Sequence, residues 1–275
     1  MATLFIVATP IGNLEDITFR ALRTLKECGV IACEDTRQTQ KLLDRYGIHK
    51  KLLSYHDHNE LARAAELIEQ LKRGIDVALV TDAGTPLIAD PGYRIVHACA
   101  EAGIAVVPIP GANAAIAALS ASGLPTDSFR FCGFLPAKSG QRVHALERLR
   151  NETATIVFYE APHRILETLL DIQSTLGARE MVLAREITKI HEEFLRGTGA
   201  EIHAILSQRQ SVKGEITLLI GKSGVAIEDT EPIVDAVQRI EQSGVPRMEA
   251  IKQVARERGL SKRDVYGELE SAKGH

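Results

Sequence analysis

Apolar residues in this chain fall into short unbroken runs, separated by stretches in which they recur every third or fourth position. The runs at 3–8 (TLFIVA), 30–33, 76–81 (DVALVT) and 105–109 (AVVPI) predict strands. Between the first two, Ile17, Ala21, Leu25 and Cys28 share one helical face, with Asp16 as a candidate cap and Gly29 as the stop. Leu61, Ala65, Ile68 and Leu71 repeat the pattern behind a second candidate cap, Asn59, and end at Gly74. Residues 92–103 and 113–122 predict two further helices. Strands that are apolar throughout and alternate with amphipathic helices predict a parallel sheet covered on both faces.

Gly123-Leu124-Pro125 marks a boundary to a second mixed region. Strands are predicted there at 129–135, 155–159, 181–185 and 216–220, and helices at 161–176 and 201–208. The polar stretch 223–232 suits a linker, and three short helical segments follow, with stops at Gly244 and Gly259. The last begins with Ser261 as N-cap and Asp264 three residues on. The expected organisation is two α/β domains, 1–122 and 123–224, plus a small helical appendage, 225–275.

Composition narrows the class. The 275 residues are 45% hydrophobic and 25% charged, an ordinary globular balance. A formal charge of −3 excludes a general nucleic-acid glue, so any RNA contact needs a local basic face. With no tryptophan and 4% aromatic residues, base stacking on exposed rings is not expected to dominate. No apolar run approaches the roughly 18 residues of a membrane span, and no secretory signal follows Met1. The four cysteines lack C-x-x-C spacing, as expected for reduced thiols in a cytoplasmic protein.

The candidate chemistry lies in the loops. The first turn, Ala8-Thr9-Pro10-Ile11-Gly12-Asn13, stands where a dinucleotide fold places G-x-G-x-x-G, but it has one glycine and a proline that removes an amide donor. Glu34, about 20 residues on, is the only support for a nucleotide- or dinucleotide-binding oxidoreductase. The segment 81–92 (TDAGTPLIADPG) follows a buried-type strand, where open α/β folds bind ligands, and Asp82 and Asp90 add polar groups that a plain turn does not need. A second Gly/Pro loop, 108–113, opens the next helix. Together they predict a small-molecule crevice. His56-Asp57-His58 has alternating histidines but no third ligand in register, so a structural role is favoured over metal binding.

The segments VATPIGNLEDITFRAL (7–22), EDTR (34–37), HDHNE (56–60), DAGTPLIADPG (82–92), PGANAAIAALSASGLP (110–125), GFLPAK (133–138), FYEAPHR (158–164) and KGEITLLIG (213–221) occur together and in order. In this the chain resembles the tetrapyrrole-methylase-like, class III S-adenosylmethionine methyltransferases, and within them the branch that 2′-O-methylates a cytidine in the decoding centre of 16S ribosomal RNA. The resemblance implies S-adenosylmethionine folded into a cleft between two α/β domains. It implies cofactor contacts at Pro10, Asp82, Ala83, Gly84, Thr85, Ile88, Asn113, Ala114, Tyr159 and Glu160. It also implies 16S rRNA within the small ribosomal subunit as partner and a homodimer. No metal-binding residues are assigned.

For removal of a hydroxyl proton, Glu160 and Lys138 are the candidates, the latter if burial near other cations alters it. For RNA contact the candidates are Arg37, Lys138, Arg142, His163 and Arg164. Within 137–150, Lys138, Arg142, Arg148 and Arg150 face only Glu147. A tetrapyrrole methyltransferase is the alternative on the same fold. Its relatives carry Gly-Asp-Pro where this chain has Gly84-Thr85-Pro86, and the helical tail also speaks against it.

Overall fold

Thr3–Val7 (β1) sends alternate side chains into two helical layers: Leu4 and Ile6 join one buried cluster, Phe5 and Val7 the other. That is why the run is apolar at both parities. The computed structural model describes residues 2–223, 232–242, 244–257 and 260–271. In it β1 lies between Val77–Leu79 (β4) and Ala105–Ile109 (β5), with Val30–Cys33 (β2) and Leu52–Ser54 (β3) beyond β4. All pairings are parallel, in the order β3-β2-β4-β1-β5. Helices Phe19–Glu27 (α1) and Thr36–Arg45 (α2) cover one face through Ala21, Leu25 and Leu43. Helices Glu60–Lys72 (α3) and Tyr93–Glu101 (α4) cover the other through Leu67, Leu71, Ile95 and Cys99.

Two predicted caps differ from the structure. Asp16 belongs to a short 3-10 turn, and Thr18 caps α1 instead, its Oγ1 accepting from the Ala21 N–H at 3.0 Å. The Asn59 side chain turns back to accept from the His56 N–H at 2.9 Å, so it braces the preceding turn rather than capping α3.

Helix Ala114–Ser122 (α5) ends at Gly123, whose left-handed φ of 84° lets the chain turn into the second sheet. That sheet comprises Phe129–Phe134 (β6), Thr155–Glu160 (β7), Met181–Arg185 (β8), Glu193–Gly197 (β9) and Ile216–Ile220 (β10), in the order β6-β7-β10-β8-β9. Only β6 and β7 run parallel; the other pairs are antiparallel. Helix α5 packs Ala115, Ala118 and Leu119 on one face of this sheet. Ser139–Glu147 (α6), Ile165–Leu176 (α7) and Gly199–Ser207 (α8) bury the other face with Leu146, Leu169, Ile172, Ile202 and Leu206.

Both sheets belong to one compact unit ending at Ser223, and a second unit starts at Gly224. Of the linker predicted at 223–232, residues 224–231 lie outside the described residues, as does the stop at Gly259. The described residues of the second unit form three helices, Ile233–Gln242 (α9), Arg247–Glu257 (α10) and Lys262–Ser271 (α11), around a core of Val237, Ile240, Ile251, Val254 and Val265. The Asp264 N–H donates to Ser261 Oγ and the Ser261 N–H to Asp264 Oδ2, both at 3.2 Å, a reciprocal cap on α11. Among the described residues, no helix is long and apolar enough to cross a membrane.

Candidate active site

The turn after β1 and the loop after β4 are joined into one surface. The Thr9 N–H donates to the Gly84 carbonyl at 2.8 Å, the Gly84 N–H returns to Thr9 at 3.1 Å, and Thr9 Oγ1 donates to the Thr81 carbonyl at 3.0 Å. Thr85 Oγ1 then ties this loop to the one after β5 through the Ala112 carbonyl at 3.1 Å. Leu87 and Ala89 adopt left-handed φ values of 71° and 65° inside the loop. Such backbone is costly for residues with a Cβ and survives where the surroundings enforce it. Gly111 allows the β1 and β5 loops to approach closely: a Cβ there would lie 2.9 Å from that of Ala8. Gly111→Ala is therefore expected to separate the β1 and β5 loops, costing about 1–3 kcal/mol and lowering ligand affinity. Denaturant unfolding with calorimetric titration checks this.

These loops and the carboxyl end of β7 enclose a cavity of about 400 Å³, within the size range of small-molecule sites. Of the expected contacts, Asp82, Ala83, Gly84, Thr85, Ile88, Ala114, Tyr159 and Glu160 line it. Pro10, Asn113, Lys138, Arg37, Arg142, His163 and Arg164 do not. Pro10 is buried within its turn, and Asn113 Oδ1 is engaged in capping α5 through the Ile116 N–H at 3.1 Å. Several lining residues escaped sequence reasoning as contacts: Ile11, Phe134, the Ala161-Pro162 step, and Gly214 through Thr217. The last group reaches the cavity because β10 pairs with β7, matching Ile216 to Glu160, a long-range pairing with no local signal.

One wall is acidic. Glu34, Asp82 and Asp90 line it together, and Thr81 Oγ1 donates to Glu34 at 3.3 Å. Burial pushes the Asp90 carboxyl up to about 6, against the hydrogen bond from Thr81 and with help from neighbouring Glu34, Asp82 and Asp57. Burial, followed by Asp82, also raises Glu34. The opposite wall is apolar and aromatic. Tyr159 meets Phe131 and Phe134 edge-on, with ring centres 4.9 and 5.7 Å apart, and burial raises its phenol. Such a cavity suits a ligand with a cationic centre and a flat apolar part.

Four expectations need correction. Glu160 does not present a free carboxylate. Its Oε1 accepts from the Ala161 N–H at 2.6 Å and from Arg164 Nε at 2.5 Å, and its Oε2 accepts from Thr168 Oγ1 at 2.9 Å. Arg164, committed to Glu160 and to the Leu135 carbonyl at 2.9 Å, is not free for RNA. Arg142 is fully buried: Nε donates to Asp171 at 2.6 Å and Nη1 to the Ala137 carbonyl at 3.1 Å, locking α6 to α7. Lys138, Arg37 and His163 are exposed. Lys138 thus lacks the burial its proton-accepting role requires. Among the described residues, no group of three or more His, Cys, Asp or Glu side chains could hold a metal ion.

The site therefore belongs to an α/β protein with a ligand cleft between a parallel and a mixed sheet. Residues 3–203 match the tetrapyrrole (corrin/porphyrin) methylases, and the chain belongs to that family. It is 52% identical over 271 residues to the ribosomal RNA small subunit methyltransferase I of Halalkalibacterium halodurans, covering 96% of this chain and 93% of that protein. It is 47% identical to the protein of the same name from a Synechocystis species, over 97% and 96% of the two chains. The crystal structure of a diphthine synthase superposes with a TM-score of 0.64 at 15% identity, over 80% of this chain and 90% of that one, a likeness of fold.

The cofactor of the family is S-adenosylmethionine. The residues present fit it: Asp82 and Asp90 would face its sulfonium and ammonium charges, and Ile11, Ile88, Ala114 and Phe134 would offer the adenine an apolar slot. A cofactor without phosphates also explains a first turn with a proline in place of a glycine cradle. The oxidoreductase alternative is not favoured.

Proposed function

We propose that this protein 2′-O-methylates a cytidine in the decoding centre of 16S ribosomal RNA, with the assembled small subunit as partner, and works as a cytoplasmic homodimer. The observation that carries the reading is the acidic, half-apolar cavity in a chain whose relatives, at about half identity over nearly their whole length, are named for small-subunit ribosomal RNA. Those names favour an RNA acceptor over a tetrapyrrole. When bound, the cofactor supplies a methyl carbon made electrophilic by its positive sulfur.

The chain's own residues bind and align. Asp82 and Asp90 would hold the cationic end, and Tyr159 with Phe134 would face the flat part from the aromatic side. Alignment of this kind supplies effective molarities of about 10⁵ M or more. Incubation with methyl-labelled cofactor and unmodified small subunits tests the reading. Label on a ribose oxygen of one decoding-centre cytidine is expected; label on a base, or none, refutes it. Velocity sedimentation checks the dimer.

For RNA contact, Lys138, Arg37 and His163 remain. Lys138→Ala is expected to weaken small-subunit binding and reduce the salt slope by about 1, with cofactor affinity intact. Filter binding across a salt series measures both.

A further inference from the structure

A hydroxyl acceptor must lose its proton, and neither Glu160 nor Lys138 is placed to take it. Glu160 is saturated by three donors, and Lys138 lies outside the cavity. The other ionisable side chains of the cavity differ in what already holds them. Glu215 is paired with Lys189 at 3.0 Å. Asp82 Oδ1 accepts from the Asp35 N–H at 3.0 Å. Asp90, whose burial resists a lone negative charge, is the natural partner of the cofactor's cation.

Glu34 stands apart. It directly follows β2 at the carboxyl edge of the sheet, next to β4, and lines the cavity. Its Oε2 receives one long hydrogen bond, from Thr81 at 3.3 Å, and its Oε1 has no hydrogen-bond partner among the described residues. Like Asp82 it is anchored at one oxygen and open at the other, but it is partly buried where Asp82 is exposed.

We propose, resting on the reading that the acceptor is a ribose hydroxyl, that Glu34 is the proton acceptor of methyl transfer. Glu34 Oε1 takes the hydroxyl proton as the oxygen–carbon bond forms and the carbon–sulfur bond breaks, its electron pair returning to sulfur. The carboxyl later gives the proton to water, so the enzyme returns to its starting state and no oxidant or reductant is consumed.

The groups facing Glu34 come from two segments: Thr81, Asp82 and Asp90 after β4, and His56 and Asp57 after β3. Burial raises its carboxyl most, then Asp82; Thr81 opposes, Asp57 adds, and His56 opposes. A carboxylate raised in this way accepts a proton more readily than an ordinary surface one.

The test uses the full chain with small subunits. Glu34→Gln is expected to slow single-turnover methyl transfer by about 10²–10⁴-fold. It should leave the dissociation constant for S-adenosylhomocysteine within about twofold by calorimetry, which also reports folding. Glu34→Asp is expected to be intermediate in rate. In the ligand-free protein labelled with carboxyl-¹³C glutamate, one resonance titrating above the ordinary range is expected to vanish in Glu34→Gln. At saturating cofactor, the acidic limb of the wild-type rate–pH profile should vanish with it. A Glu34→Gln protein that methylates ribose at full rate, or that loses homocysteine-product affinity in proportion to rate, overturns this assignment alone. A wild-type product methylated away from ribose oxygen overturns the hydroxyl reading and this assignment with it.

Discussion

Asp90→Asn is expected to leave the ligand-free protein more stable at pH 7 and to weaken cofactor binding by about tenfold or more. The Asp90 carboxyl is raised from 3.8 to about 6, chiefly by burial. The folded chain thus holds that proton more tightly than the unfolded chain does. Stability is gained as pH falls through about 6 toward 3.8, and at pH 7 the ionised side chain counts against folding. Allowing for solvent screening of a half-buried group, the penalty is about 1–2 kcal/mol, or a rise in Tm of about 2–6 °C on replacement. The same charge is what a sulfonium and an ammonium seek, so removing it takes away the most buried of the carboxylates that would face the ligand's cation. In the unmodified protein, cofactor affinity should fall as pH drops below about 6, and the variant should show a flatter profile. Calorimetric titration at several pH values, with scanning calorimetry, measures both effects. A variant that binds normally and melts lower would show that Asp90 serves the fold and not the ligand.

That trade between stability and binding explains why part of the site is legible in the sequence. Asp82 and Asp90 are polar groups in a Gly/Pro loop at a strand end, and nothing in the local pattern requires them there. The first sheet is legible for a related reason: its central strands are covered on both faces and so are apolar at every position. Its edge strand Leu52–Ser54 is not, because three partly exposed residues carry no periodicity. Glu193–Gly197 escapes the pattern because its first residue is an acid held by Arg185 and Arg209, which interrupts the apolar run of a strand.

The two misplaced cations have different causes. Arg142 looks like a surface charge along its helix, and the acid that buries it, Asp171, lies 29 residues away on another helix. Arg164 is different, since its partner Glu160 is only four residues before it. The spacing Glu160-Ala161-Pro162-His163-Arg164 is enough to suggest a local pair. What it does not show is that β7 ends in the core, so that the carboxylate is buried when the pair forms.

From that burial follows the largest stability loss expected of a single replacement at the site. Arg164→Ala should destabilise the protein by about 3–5 kcal/mol, because it strands a charge whose side chain is wholly shielded from water. The Leu135 carbonyl loses its donor at the same time, loosening the segment that carries Phe134 into the cavity. Thr168→Val removes only one of three donors to Glu160 and should cost about 1–2 kcal/mol. Replacing both partners, Glu160→Leu with Arg164→Leu, strands no charge and should recover part of the loss, so the two positions couple strongly in a double-mutant cycle. Urea denaturation of the four proteins supplies the cycle. A reacting Glu160 would behave otherwise, with loss of Arg164 altering the rate–pH profile at nearly unchanged stability. If Arg164→Ala unfolds at the wild-type midpoint, Glu160 is solvated in solution and becomes available again for acid–base chemistry.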